Sequence, residues 1–241
     1  DSDGDRAREV ARELGTRSYT SMDPIMDLID AASVAVPTTF HASVAAPLLG
    51  RGIAVLVEKP LASTIEDARR IIEAAESSGA ALQVGHLERF NPALVSLKDS
   101  ISEPMFIEAH RISPFRARGT DVDVILDIMI HDLDIILELV GSPVESIEAV
   151  GVNVLTDTVD IANARLRFKS GCIANITSSR ISADVMRKIR IFQKNAYISL
   201  DFAKASADVY TLDALRRIAH RRLVMSESDA LSSEIRAFVD A

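Results

Sequence analysis

Between Asp1 and Phe90 the hydrophobic positions switch repeatedly between a helical period and short continuous apolar runs. That alternation is expected of strands joined by crossover helices. Arg6 to Leu14 reads as a helix stopped by Gly15, and Ala31 to Val36 as a strand closed by Pro37. Ile53 to Val57 and Ala81 to Val84 repeat the strand pattern. Because nothing polar alternates within these runs, burial on both faces is predicted. His41 to Leu49, capped by Gly50, and Thr64 to Glu76 are the connecting helices, the second opened by a Ser63 or Thr64 cap with Glu66 behind it. Strand, helix, strand, helix, strand predicts a parallel α/β layer.

After Asn91-Pro92 the texture changes. Val124 to Val140 is a helix apolar on most sides. Met105 to Ile112, Ser146 to Val154, Asp160 to Phe168, Cys172 to Ile181, Arg187 to Gln193 and Ala196 to Phe202 alternate or are β-rich. Ser170-Gly171 and Lys194-Asn195 are turn pairs that favour antiparallel hairpins. Residues 91–241 are therefore predicted to form an α+β domain with an open, mainly antiparallel sheet, after a parallel α/β layer in residues 1–90. The sheet's apolar alternating face has no helices after it in sequence to cover it, so a second subunit is expected there and a homo-oligomer follows. Leu231 to Ala241 reads as a closing helix. The basic run Arg216 to Arg222 reads as a solvated strand or loop.

Composition narrows the choice of function. The 241 residues are 48% hydrophobic and 26% charged, with a net charge of -8, as in ordinary soluble globular proteins. Without a basic surplus to release counterions, nucleic acids and anionic membranes are excluded as main partners. One cysteine, Cys172, excludes a disulfide framework or cysteine-based zinc site and places the expected compartment in the reducing cytoplasm. No apolar run nears the roughly 18 residues of a membrane span, and the acidic start Asp1-Ser2-Asp3-Gly4-Asp5 is the opposite of a signal peptide. A start without Met is expected of a processed or truncated chain.

In open parallel sheets ligands sit beyond the carboxyl ends of the strands. Here those ends are Pro37-Thr38-Thr39-Phe40-His41, Glu58-Lys59-Pro60 and Gly85-His86. Lys59 is the one lysine among nine basic residues before position 98. A compact ammonium can sit beside a hydroxyl as a point donor, and the following Pro60 keeps its backbone extended. A surface lysine paired with Glu58 explains the same position without chemistry. On the long helix, at about 100° per residue, Asp127 and His131 lie roughly 40° apart, and Asp134 falls roughly 20° to the other side of Asp127. This polar stripe on an apolar helix is a metal half-site, a structural carboxylate–imidazole pair, or a catalytic base with a neighbouring acid. Metal lacks a third ligand, since His41, His86, His110 and His220 show no supporting spacing.

Four segments together resemble the Gfo/Idh/MocA oxidoreductases: Ala35-Val36-Pro37-Thr38 with His41, Glu58-Lys59-Pro60-Leu61, Gly85-His86-Leu87-Glu88-Arg89-Phe90-Asn91-Pro92, and Asp127-x-x-x-His131. The resemblance implies a Rossmann-type domain and a nicotinamide-dependent dehydrogenase, with Lys59, Asp127 and His131 as the catalytic trio. It implies a dinucleotide-binding domain with Asp1, Pro37, Thr38, His41, Glu58, Lys59 and His86 toward the cofactor; Arg89, Asn91 and Arg118 are candidates for substrate or diphosphate contacts and equally for surface or interdomain ion pairs. Asp1 matches an acidic residue that holds the adenosine ribose, which favours NAD over NADP. Arg118 to Asp123 leading into Met129-Ile130-His131-Asp132, with Asp160 to Ala164 and Arg187 to Gln193, is similar to the UDP-N-acetylglucosamine 3-dehydrogenase branch. That branch implies a 3-keto sugar nucleotide destined for amination toward lipid A. A cyclitol or sugar-acid dehydrogenase, or a catalytically silent sugar-nucleotide or cofactor sensor on the same scaffold, stays open beside it.

The sequence departs from the family at its start. The opening strand and the Gly-x-Gly-x-x-Gly turn that cradles the pyrophosphate occur nowhere in it. A unit of roughly 30 residues, the size of a strand and helix entering a βαβ motif, is expected to precede Asp1. The family also continues past the closing helix, so a fragment that binds dinucleotide weakly is the expectation.

Overall fold

The computed structural model describes residues 1–115, 122–213, 215–224 and 229–241. They form two compact units, residues 1–85 with 237–241, and residues 86–236.

In the first unit, α1 (Gly4–Leu14) opens on Asp3, whose side chain accepts the N–H groups of Asp5 and Arg6, and closes on Gly15 in the left-handed region. Strands β1 (Ala31–Val34), β2 (Ala54–Glu58) and β3 (Leu82–Gly85) form a parallel sheet in that order, joined by α2 (His41–Leu49) and α3 (Ile65–Ser78). The Thr64 hydroxyl caps α3 through the Asp67 N–H. The core is built from Val34, Ala45, Leu48, Leu49, Val55, Val57 and Ile71. Burial on both faces holds for β2, where Val55, Leu56 and Val57 are enclosed, but not for β1. Ala31 and Ser33, which share one face of β1, are exposed. Ala35 and Val36 lie outside β1, which ends at Val34.

In the second unit, α4 (Pro92–Val95) is followed by β4 (Phe106–Ile112), a π-helical turn at Ile125–Met129, and α5 (Ile130–Val140). Seven strands complete it: β5 (Val144–Val152), β6 (Ile161–Phe168), β7 (Ile173–Ser179), β8 (Met186–Gln193), β9 (Ala196–Asp201), β10 (Ser206–Leu212) and β11 (Ile218–Val224). A last helix, α6 (Ala230–Val239), follows. The described sheet runs β11-β10-β9-β8-β4-β7-β6-β5, with one parallel pair, β4 with β7. Gly171 and Asn195 adopt the positive φ required by the two hairpin turns read from the sequence.

Two expectations need correction here. The apolar sheet face is covered by the chain itself. Ile107, Ala109, Ala174, Ile176, Ile189 and Ile191 share one core with Leu94, Leu97, Val124, Met129, Ile135 and Ile136 from the segments around β4. The other face carries a stacked row of Phe106, Phe192, Tyr197, Tyr210 and His220 beside polar residues such as Asn163, Arg165 and Thr177. The second correction concerns the long helix, which is not α-helical throughout. Its first turn is π-type, with the Ile130 N–H reaching back five residues to the Ile125 carbonyl. Such wide turns recur at functional sites.

Candidate active site

In the first unit the predicted residues gather at the carboxyl ends of the parallel strands. Glu58 ends β2 and Lys59 follows it, half-buried. The Lys59–Pro60 peptide is cis. Gly85 ends β3 so close to Glu58 that a Cβ there would sit 3.2 Å from the Glu58 Cα and 3.2 Å from its carboxylate. Glycine is favoured by that approach rather than by an unusual φ. Pro37 and Thr38 enter the short 3₁₀ turn ahead of α2. His41 is 1% exposed. Its Nδ1 lies 2.9 Å from the Pro60 carbonyl and its Nε2 2.9 Å from the Val36 carbonyl. This imidazole ties the loop after β1 to the loop after β2, and its nitrogens are occupied by backbone. It positions the segment carrying Lys59. Asp1 is exposed, its carboxylate accepting the Asp3 N–H.

In the second unit Asp123 caps the π turn, its carboxylate accepting the N–H groups of Ile125 and Leu126. Asp127 lies within this turn and His131 is the second residue of α5, both half-buried. The straight-helix angle between them does not apply across a wider turn. Asp134, the third member of the predicted stripe, is an anchor. Its carboxylate receives the Arg89 Nε at 2.7 Å and Nη2 at 2.6 Å, with the His86 Nε2 at 3.6 Å. Arg89 also reaches Glu138, which pairs with Lys98. The hydrogen bond to Asp134 is the main cause that raises the Arg89 pKa. Asn91 caps α4 through the Ala93 N–H and donates to Glu88. Arg89 and Asn91 thus help hold the segment after β3, and the ion-pair role that the sequence left open beside a substrate contact is the one seen for Arg89. Arg118 lies outside the described residues.

A second ionic group was missed by sequence reasoning. Arg111 on β4 and Asp132 on α5 are 6% and 1% exposed. Arg111 donates to Asp132 Oδ1 from Nε and Nη2 at 3.1 and 2.8 Å, and to Glu88 from Nη1 at 2.7 Å. Burial pushes the Asp132 carboxyl up against the pull of Arg111. The two carboxylates hold the Arg111 guanidinium charged against its own burial. A signal existed: strand alternation puts Arg111 on the face of Ile107 and Ala109, where an arginine must be paired. A third buried pair, Arg180 with Asp160 at 2.9 Å, stands at the end of β7, and Arg180 also donates to the Val122 carbonyl ahead of the π turn. Among the described residues no cluster of three His, Cys, Asp or Glu is grouped to hold a metal ion.

A parallel sheet of Rossmann type ahead of a large, mainly antiparallel sheet is the architecture of a nicotinamide-dependent oxidoreductase. Residues 1–86 match the family described as "Oxidoreductase family, NAD-binding Rossmann fold", and residues 103–199 match the "GFO/IDH/MocA C-terminal domain". The UDP-N-acetylglucosamine 3-dehydrogenase of Acidithiobacillus ferrooxidans is 35% identical over 247 residues, which cover 100% of this chain and 79% of that protein. Its structure superposes with a TM-score of 0.92 at 36% identity, covering 99% of this chain and 78% of that one. The scyllo-inositol 2-dehydrogenase (NAD(+)) of Bacillus subtilis is 29% identical over 197 residues, 73% of this chain and 57% of that protein. A levoglucosan dehydrogenase in complex with NADH and levoglucosan shares the fold, with a TM-score of 0.89 at 18% identity over 100% of this chain and 78% of that one. The chain belongs to the Gfo/Idh/MocA oxidoreductase family.

The family's cofactor is NAD. The residues present fit its nicotinamide half. Polar groups collect where β1 to β3 end, and the contact between Gly85 and Glu58 leaves no side chain between those two strand ends. For the pyrophosphate the chain supplies no glycine-rich turn.

Proposed function

We propose that the protein oxidises a secondary hydroxyl of a nucleotide sugar, UDP-N-acetylglucosamine at C3, with NAD as acceptor. The observation that carries this reading is the 35% identity along the whole chain to a dehydrogenase of that name, in a chain that carries Lys59, Asp127 and His131. The half-buried setting of Asp127 in the π turn and of His131 at the start of α5 supports it.

When bound, the nicotinamide supplies a hydride acceptor. Pro37, Thr38, Glu58, Lys59 and His86 would hold its ring and ribose, and Asp1 the adenosine ribose. His131 takes the proton from the substrate hydroxyl oxygen, since imidazole titrates nearest working pH. Lys59 Nζ donates a hydrogen bond to the same oxygen as negative charge develops there. Asp127 accepts from a sugar hydroxyl and orients the base. The 3-keto product would then go to an amination step toward lipid A. The single cysteine, Cys172, a buried free thiol, supports a cytoplasmic setting, and among the described residues no helix is long and apolar enough to cross a membrane.

The inositol dehydrogenases among the relatives favour a cyclitol as the second reading. A second copy of the chain is the proposed partner for the sheet's open side. Val150 and Val152 on β5 are 60% and 47% exposed there, near one end of the face that carries the aromatic row. The experiment follows NADH absorbance when the protein with its native termini receives NAD and either UDP-N-acetylglucosamine or myo-inositol. A signal with the sugar nucleotide is expected. A signal with inositol alone selects the second reading, and ligand binding without NADH formation selects a silent sensor.

A further inference from the structure

We propose that Arg111 is a positioning residue for this reaction, locking the rotation of α5 so that His131 is presented in one orientation. The proposal rests on the dehydrogenase reading for its catalytic consequence, though not for its structural one.

The argument begins with Asp132, the residue after His131. Its carboxylate is buried against β4 and receives two bonds from one guanidinium. Ile135 and Ile136, three and four residues on, are also enclosed in the core. Asp134 stands about 160° around the helix from Asp132, since successive residues step by about 100°. It is held by Arg89. The helix is therefore gripped on nearly opposite sides by two ionic anchors, one to the sheet and one to the turn Leu87–Phe90.

Glu88 and Arg89 are adjacent in that turn, and each is tied to α5 by its own route. Glu88 acts through Arg111 to Asp132, and Arg89 acts directly on Asp134. A guanidinium can span both carboxylates with its fork, whereas an ammonium offers a single point of attachment. The Phe202 ring, 5.5 Å from the Arg111 Cζ, closes the guanidinium's remaining side.

A buried ionic group of this kind is weak evidence for stability. Replacing such a group by packed apolar residues is often neutral or stabilising, while removing one partner strands a charge. Asp132 Oδ2 has no hydrogen-bond partner among the described residues, so the triad is retained at some expense in desolvation. What it supplies is direction: a fixed helical phase for the residue beside it. Misplacement of a reacting group by about 1 Å can lower turnover by about 10²-fold.

The test compares wild type with Arg111→Lys and with the apolar triple variant Glu88→Gln, Arg111→Met, Asp132→Leu, each with native termini. Two readouts are taken: the His131 ring resonances by NMR, assigned through His131→Ala, and NADH formation from UDP-N-acetylglucosamine. The triple variant is expected to fold with a Tm near that of wild type. In both variants the His131 signals should shift or broaden while those of His220 stay, and kcat should fall by about tenfold or more with the KM for NAD within about twofold. Unchanged His131 resonances in the folded variants overturn the proposal, as does an unchanged kcat. A wild type that forms no NADH contradicts the dehydrogenase reading alone, because the ring resonances still decide the role of Arg111.

Discussion

Arg89 and Asp134 form a two-pronged ion pair, with the Arg89 Nε and Nη2 at 2.7 and 2.6 Å from the two oxygens of the Asp134 carboxylate. The pair joins the turn after β3 to the middle of α5. Arg89→Ala should therefore act on stability and geometry rather than on substrate affinity. Losing a charge-assisted bond of this kind costs about 1–3 kcal/mol, a Tm shift of roughly 5 °C for a chain of this size. Steady-state kinetics should show kcat lowered and the KM for the sugar nucleotide within about threefold. A KM raised tenfold or more with Tm unchanged would instead place Arg89 on the substrate.

Asp160 gives the molecule a signature in acid. Burial would raise its carboxyl, but the N–H groups of Leu155, Val154 and Thr156 and the Thr156 hydroxyl outweigh that and hold it well below the usual carboxylate range. A carboxylate whose folded value lies below its unfolded value of about 3.9 contributes stability in full above that value. The contribution is lost as pH falls from about 4 toward the folded value. Asp160→Asn should thus lower Tm at neutral pH, where it strands the buried Arg180. The gap between variant and wild type should narrow between pH 5 and pH 2. A gap that is constant with pH would show that the carboxylate is not the group responsible.

The open side of the large sheet predicts association. Val150→Glu and Tyr210→Glu introduce charge at two separate places on that side, one on β5 and one in the aromatic row. If a second copy covers it, burying an unpaired carboxylate is strongly unfavourable. Sedimentation velocity should then show wild type as an oligomer and each variant as smaller. Wild type sedimenting as a monomer would remove the second copy as the partner of this side.

Much of the architecture was legible because burial alternates where strands alternate. The runs 53–57 and 160–168 reappear as β2 and β6 within one or two residues, and Gly171 and Asn195 turn where the hairpins need them. β10 was not read, since Ser206, Asp208 and Thr211 weaken its apolar signal. β11 was left as strand or loop, because an exposed basic edge strand has no buried face to write a pattern. At the site, residue type and spacing single out Lys59, Asp127 and His131, but their proposed catalytic roles come from the family resemblance. The π turn did not, because the i to i+5 bond of Ile130 leaves no mark in hydrophobic period. Nor did pairing. Which carboxylate Arg89 or Arg111 would meet depends on contacts 45 and 21 residues away in sequence, and no local pattern encodes them.

The most direct measurement of the central claim is the turnover of His131→Ala, with native termini, against wild type, using NAD and UDP-N-acetylglucosamine at saturating concentrations. General-base catalysis is worth about 10²–10⁴-fold, so kcat should fall by at least about 10²-fold while the dissociation constant for NAD changes little. Equal turnover in variant and wild type would contradict the account.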